Sequence, residues 1–255
     1  MMSLYSNFKL YKSLKLLKQN YRLAGIKAEF EAEGSSVNDI ARLKILTNKI
    51  GTKLKVKIGG VEAVNDIYNC ISLNVDGIIA PMVETEFGLQ KFIETIYSLK
   101  LKNNPELSIN IETLAGYRNL DKILKRSHKK ISNITIGRTD FSKSYFDKNV
   151  TQNSEVITEA IFDISKKIKK TNIKLTVGGG IDKQTILKFD KIKIWKYVDR
   201  LETRKVILPV KYMLKINAIE KCIDFERNYI LNKKEISDLH IKSEINRLTN
   251  LNTRK

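Results

Sequence analysis

Residues 108–116 read SINIETLAG, and residues 134–142 read ITIGRTDFS. In each, alternating apolar residues run out on a carboxylate, Glu112 in the first and Asp140 in the second, before a helix-like stretch begins. Short runs rich in Ile and Val favour strands, and the same unit recurs along the chain. Candidate strands are 25–32, 53–59, 76–82, 107–112, 131–137 and 173–179. Between them lie helix-period stretches at 36–51, 61–75, 87–101, 115–128 and 154–170. Ser35 or Ser36, and Ser154 with Glu155 after it, supply helix caps. Successive strands start about 25 residues apart, the length of one βα unit.

Near-continuous apolar strands that alternate with helices imply a parallel sheet covered by helices. The number of units favours an α/β fold closed as a (β/α)₈ TIM barrel over an open doubly wound sheet. Neither the dinucleotide fingerprint nor the P-loop of open-sheet folds is present. Residues 191–209 must supply the last one or two strands, with little room for a helix between them. Three parts follow: an N-terminal amphipathic helix (1–22), a barrel domain (23–225) and a charged helical tail (226–255). The tail has too little apolar surface for its own core, so it is expected to pack on the barrel or on a neighbouring subunit.

Composition narrows the function. The chain has 255 residues, 42% of them hydrophobic, and no apolar run reaches membrane-spanning length. The N-terminus alternates Leu with Lys and lacks the apolar core of a secretory signal. Cys70 and Cys222 form no metal or redox spacing, which makes a reduced cytoplasmic location the default. The net charge of +19 suggests nucleic acid at first sight. Its lysines, however, are spread along a chain also rich in Ile and Asn, the mark of a biased composition. The runs at 124–130 and 166–170 read as solvated helix ends, and nucleic acid is not the expected partner.

In a (β/α)₈ barrel, chemistry sits at the C-terminal ends of the strands. The polar residues there are Glu29, Glu31 and Glu33 after strand 1, and Lys57 with Gly59 and Gly60 after strand 2. Pro81 and Glu84 follow strand 3, Glu112 strand 4, and Arg138 and Asp140 strand 5. Gly178, Gly179 and Gly180 follow strand 6, with Glu202 and Arg204 near the last strand. Two adjacent carboxylates raise each other's pKa unless a cation neutralises them. Oxygen ligands suit Mg²⁺ or Mn²⁺, and with only His128 and His240 a histidine-rich zinc site is excluded. The alternative is that the acids cap helices or pair with Arg138 and Lys57. The glycine backbones either bind a carboxylate or phosphate at a helix N-terminus or form tight turns. Alternation places Glu29, Glu31 and Glu33 on one side of an extended segment, facing the barrel mouth.

The segments DGIIAPMVET (76–85), INIETLAG (109–116) and IGRTDFSKS (136–144) resemble the HpcH/HpaI aldolase and citrate lyase β-subunit family. The likeness runs from about residue 25 to 145 and continues loosely through VGGGI and LETRKV. It implies a (β/α)₈ barrel that makes or breaks carbon–carbon bonds beside a 2-oxo acid or acyl thioester. It further implies that Glu112 and Asp140 bind Mg²⁺ or Mn²⁺ and that Lys57 stands near the basic residue that holds the substrate carboxylate. Arg138 would assist Lys57, Gly59, Gly60, Gly178 and Gly179 would contact substrate, and Glu29 or Glu31 would transfer protons. Relatives assemble as trimers or hexamers with exchanged C-terminal helices. The chain departs from the family where KAEFEAEG (27–34) has no histidine after strand 1, where Lys57 replaces Arg, and in the bulky FSKSYFDKNV. A barrel that has lost catalysis and binds a partner is the competing reading.

Overall fold

The computed structural model describes residues 2–127, 130–169 and 171–252. His128, the last residue of the expected helix at 154–170 and the end of the expected tail lie outside the described residues. Eight strands close into a barrel in chain order. They are β1 (Gly25–Glu29), β2 (Leu54–Lys57), β3 (Gly77–Ala80), β4 (Glu106–Ile111), β5 (Asn133–Gly137), β6 (Lys174–Gly178), β7 (Arg200–Glu202) and β8 (Val206–Pro209). Helix α1 (Met2–Tyr21) precedes them. Between strands run α2 (Val37–Ile50), α3 (Val64–Ser72), α4 (Glu86–Tyr97), α5 (Leu114–Arg118) with α6 (Leu120–Ser127), α7 (Arg138–Lys143) with α8 (Glu155–Ile168), and α9 (Lys183–Lys191). Short α10 (Val210–Met213) and long α11 (Ala218–Asn252) follow β8. Among the described residues no helix is long and apolar enough to cross a membrane.

Local chemistry sets the boundaries. Ser36 starts α2 with a capping box, its hydroxyl accepting from the Asp39 N–H while the Asp39 carboxylate accepts from the Ser36 N–H. Thr85 and Thr113 cap α4 and α5 through their hydroxyls alone, which accept from the Gly88 and Gly116 N–H groups. Ser154 precedes α8 without capping it; its hydroxyl accepts from the Thr151 N–H instead. Strand β1 stops at Glu29, three residues earlier than its alternating pattern suggests, because the chain turns at residues 31–34. Glu31 and Glu33 therefore leave the strand, and the three acids of this segment do not share one face.

The strands are not uniformly apolar. Ile26, Ala28, Leu54, Val56, Ile109, Ile111, Ile134 and Ile136 are fully buried under the helices. The alternate positions, which face the barrel axis, carry Lys27, Glu29, Lys55, Lys57, Ser108, Asn110 and Thr135. Every strand is buried on both faces, yet the inner face is polar down to the middle of the barrel.

The eighth strand departs from the expected all-parallel barrel. Strands β1 to β7 pair in parallel, whereas β8 is antiparallel to both β7 and β1. Residues 203–205 alone separate β7 from β8, and a parallel crossover needs a dozen residues or more. A hairpin closes the barrel instead, with the Thr203 N–H donating to the Val206 carbonyl (3.0 Å). Because β8 runs down the barrel, the chain leaves it at the face opposite the mouth. There Tyr21 Oη donates to the Ile216 carbonyl (3.3 Å). Helix α11 climbs back from that point, packed along α1, and its first turns reach the mouth.

Leu10, Leu14 and Leu17 of α1 are fully buried, as are Cys222 and Phe225 of α11. Asn228 and Asn232 of α11 donate to Ser13 and Asn7 of α1. A single helix spans both sides of residue 226, so its first half belongs to the barrel's packing while Leu239, Ile241 and Ile245 are exposed. Leu14→Ala is expected to lower the unfolding free energy by about 2–5 kcal/mol. Leu239→Ala should change it by less than about 0.5 kcal/mol. Urea unfolding followed by circular dichroism distinguishes the two.

Candidate active site

A cavity of about 450 Å³ opens at the C-terminal ends of the parallel strands, the face on which barrel enzymes carry their chemistry. Acidic side chains on its wall are Glu29, Glu112, Asp140, Glu202 and Glu226. Basic ones are Lys27, Lys57, Lys143 and Arg204, and Asn110 and Thr135 lie among the lining residues.

One side of the cavity is a buried ion network. Lys27 Nζ lies 2.9 Å from Glu202 Oε1 and 3.3 Å from Glu29 Oε1. Glu29 Oε2 in turn lies 3.2 Å from Lys57 Nζ and 3.9 Å from Arg204 Nη1. Burial works against the charge on Lys27, but Glu202 and Glu29 outweigh it and hold the ammonium above the ordinary lysine range. Burial likewise opposes the charge on Glu29, and Lys27, Lys57 and Arg204 together pull its carboxyl below the usual value. Glu29 is thus an ionised anchor for Lys57 at neutral pH. It does not suit the proton-transfer role expected from its position, because a general base needs a pKa near working pH.

The other side carries the acid pair. Glu112, 3% exposed, accepts from the Met82 N–H (3.0 Å) and from Asn110 Nδ2 (3.1 Å). Met82 has a left-handed φ of 47°, an unusual conformation for a residue with a side chain, and it is the N–H of this residue that meets Glu112. A Cβ on Gly137 would lie 2.5 Å from Glu112 Oε2, so glycine at the end of β5 makes room for the carboxylate. Burial pushes the Glu112 carboxyl up; Lys57 and the two hydrogen bonds counter this and the Asp140 charge adds to it. Asp140 stands in the first turn of α7, with Lys143 Nζ 3.9 Å away.

This donor set suits one kind of metal. Among the described residues no group of three or more His, Cys, Asp and Glu is arranged to hold an ion, which argues against a closed protein cage. Two carboxylates on one cavity wall, one of them buried and raised in pKa, fit Mg²⁺ or Mn²⁺ completed by water and substrate oxygens.

Other expected residues are placed differently. Arg138 is 1% exposed and does not line the cavity. Its guanidinium donates to the carbonyls of Gly178 (3.2 Å), Gly179 (2.6 Å), Gly180 (3.1 Å) and Gln152 (3.1 Å), and to Asn153 Oδ1 (3.1 Å). Burial pulls its pKa down to about 10. Arg138 therefore binds the β6 loop to the segment before α8 and has no donors left for a substrate. Gly179 lines the cavity, and two of the other expected glycines are committed. The Gly59 N–H donates to Asp66 (2.7 Å), and Gly178 admits Glu202, whose Cγ would lie 2.7 Å from a Cβ there. Gly60, Gly59 and Glu31 line a neighbouring depression that shares Lys57 and Glu112 with the main cavity. Glu31 is exposed there and folds over Gly59. Glu33 is half-buried and pairs with Lys205, with the Glu29 N–H also donating to it (3.3 Å).

Three site residues escape the strand-end pattern. Lys27 and Asn110 lie within their strands, one alternation below the ends; the repeated charged positions in IKAE (26–29) and LKVK (54–57) are the signal for the former. Glu226 lies on α11, and no local pattern marks it. Asn110 is 4% exposed, and its Oδ1 has no hydrogen-bond partner.

Removing Lys27 leaves Glu202 without its cation. Lys27→Met is expected to cost about 3–5 kcal/mol of unfolding free energy, since it strands a buried charge. Lys143→Met, at an exposed pair, should cost less than about 0.5 kcal/mol. The depressed Glu29 pKa gives stability that is complete above the ordinary glutamate value of 4.5 and lost as pH falls through the folded value. Urea midpoints between pH 3 and 7 should therefore decline on the acid side in the wild type, and less steeply in Lys27→Met.

No protein-family model matches the chain, and no curated protein matches it. Its fold is similar to several solved structures. An HpcH/HpaI aldolase from Desulfitobacterium hafniense DCB-2 aligns over 76% of this chain and 82% of its own, with a TM-score of 0.60 and 12% identity. An HpcH/HpaI aldolase/citrate lyase family protein from Burkholderia cenocepacia J2315 aligns over 91% and 90%, with a TM-score of 0.63 and 8% identity. RipC from Yersinia pestis aligns over 80% and 88%, with a TM-score of 0.53 and 13% identity. At these identities the likeness is one of fold: the chain has the barrel seen in HpcH/HpaI aldolase and citrate lyase family proteins.

Proposed function

We propose that the chain is a carbon–carbon lyase of aldolase type, acting on a 2-oxo acid or related enolisable carboxylate with Mg²⁺ or Mn²⁺. The observation that carries this is the convergence of Glu112 and Asp140 on one cavity, with Glu112 buried and, among the described residues, hydrogen-bonded by the neutral Met82 and Asn110 donors. A buried carboxylate in that state is costly, and a cation beside it relieves the cost. The fold likeness to aldolase and citrate lyase family proteins supports the same chemistry.

In this reading Glu112 and Asp140 hold the ion. A divalent ion there would supply Lewis-acid stabilisation for charge developing on the substrate's carbonyl oxygen. Lys57, steadied by Glu29, presents its ammonium on the same wall and binds the substrate carboxylate as a point charge rather than bidentately. Lys27 helps hold the Glu29 carboxyl below the usual glutamate range, so the partner of Lys57 stays charged over the neutral pH range. Arg138 shapes the site only through the β6 loop that it clamps. The exposed apolar side chains on the far half of α11 support assembly with further copies of the chain, in which a trimer or hexamer would cover them.

Titration calorimetry with Mn²⁺ and oxalate tests the assignment. The wild type should bind Mn²⁺, and oxalate should bind only when Mn²⁺ is present. The double variant Glu112→Gln/Asp140→Asn should lose both, with oxalate affinity falling by about 100-fold or more, in line with a lost metal centre. A wild type that binds neither Mn²⁺ nor oxalate would make the acids structural and leave a barrel that serves as a binding protein.

A further inference from the structure

Proton transfer is the step for which the strand acids on the wall of the main cavity supply no unassigned base. Of the acids on the cavity wall, Glu112 and Asp140 are assigned to the ion. Glu29 and Glu202 are tied to Lys27. Glu226 is left, and it comes from outside the strands.

Its placement is set by the antiparallel β8. The helix that follows reaches the mouth, where it is fastened to the rim beside β1 and β8. The Lys205 ammonium lies 4.1 Å from the centre of the Tyr229 ring. Lys233 Nζ donates to the carbonyls of Glu33 (2.9 Å) and Gly34 (3.0 Å), and Phe225 is fully buried. These contacts bracket Glu226 in the sequence and hold its part of the helix at the mouth. The closed strand order puts β4 and β5, with Glu112 and Asp140, across the barrel from β8 and β1. A 2-oxo acid whose oxygens lie against the acid pair therefore has its far carbon turned toward α11.

We propose that Glu226 is the proton-transfer residue of this cavity, a catalytic group contributed by the C-terminal helix in place of the histidine that the β1 segment lacks. The proposal rests on the reading of the cavity as a 2-oxo acid lyase site. In the forward step a Glu226 carboxylate oxygen takes a proton from the carbon next to the carbonyl. The C–H electron pair becomes a carbon–carbon π bond, the carbonyl π pair moves onto oxygen, and Glu226 is left as the neutral acid. The reverse step returns the proton to carbon. The groups around Glu226 are consistent with this duty. Burial raises its pKa and Glu33 from the β1–α2 turn adds to that, while Arg204 and Lys205 of the hairpin and Lys27 of β1 oppose it.

The test is exchange of the methyl protons of pyruvate in deuterium oxide, followed by NMR with Mg²⁺ present, which needs no knowledge of the acceptor. The wild type should exchange the methyl group, with a rate that falls on the acid side as Glu226 becomes protonated. Glu226→Gln should slow exchange by about 100-fold or more, the usual worth of a general base, while keeping Mn²⁺-dependent oxalate affinity within about threefold. Glu226→Asp, which keeps the carboxyl but withdraws it, should retain part of the rate. If Glu226→Gln does not fold, Glu226→Asp decides: slower exchange at unchanged oxalate affinity supports the assignment, and a wild-type rate overturns it. Exchange that persists in Glu226→Gln, or that is abolished by Glu31→Gln instead, overturns the assignment and leaves the lyase reading standing. A wild type that neither exchanges pyruvate nor binds oxalate overturns both.

Discussion

The site is built around a lysine ammonium buried among carboxylates. Lys27 lies inside the barrel with Glu202 on one side and Glu29 on the other, and the two carboxylates hold its ammonium charged against the cost of burial. A barrel interior is ordinarily filled by branched apolar side chains. Here the inward positions of β1 carry Lys27 and Glu29 and those of β2 carry Lys55 and Lys57, and Glu29 pairs with Lys57 across the two strands. The arrangement gives up some apolar packing, and replacing such a network by hydrophobic residues often costs nothing or even stabilises. Its return is positional. Glu29 has no freedom to move its charge, and Lys57 is held at the mouth by a partner that cannot titrate near neutrality.

The barrel mouth consequently has two unlike sides. Around β1, β7 and β8 the strand acids Glu29 and Glu202 each pair with Lys27. Around β4 and β5 the acid Glu112 has only neutral hydrogen-bond donors, with Asn110 one alternation below it. The contrast in charge balance, rather than the mere presence of acids, separates anchoring residues from candidate ligand-holding ones. Arg138 illustrates the same logic in reverse. Five hydrogen bonds to loop oxygens remove it from the chemistry and convert it into the clamp that shapes the wall next to Asp140.

The closing hairpin has effects beyond the sheet. A parallel eighth strand would have ended at the mouth, and the helix after it would have started there and run down the outside. An antiparallel β8 reverses this: the chain emerges at the far end and α11 runs upward, so a helix wall is added to a site that barrels of this kind otherwise build from loops. Helix α1 completes the arrangement by covering α11 with Leu10, Leu14 and Leu17.

Much of the fold was legible in the linear chain. Isoleucine-rich runs spaced by one βα unit marked β1 to β6 to within a few residues, and Ser36 marked a helix start by hydrogen bonds that are local, whereas Ser154 does not cap the helix that it precedes. The strand-end acids Glu112 and Asp140 were legible for the same reason, since a period of two and a strand terminus fix where a side chain stands relative to the barrel mouth. Three things were not legible. The extent of β1 depended on a turn that took Glu31 and Glu33 out of register. The roles of Lys57, Glu29 and Arg138 depended on which partner each one met, and those partners lie on other strands or loops. The place of Glu226 depended on the direction of β8, decided by the three-residue connection at 203–205. Local periodicity and capping are written in neighbouring residues, and the sequence determined them. Charge pairing and proton-transfer geometry arise between segments far apart in the chain, and only the closed barrel decided them.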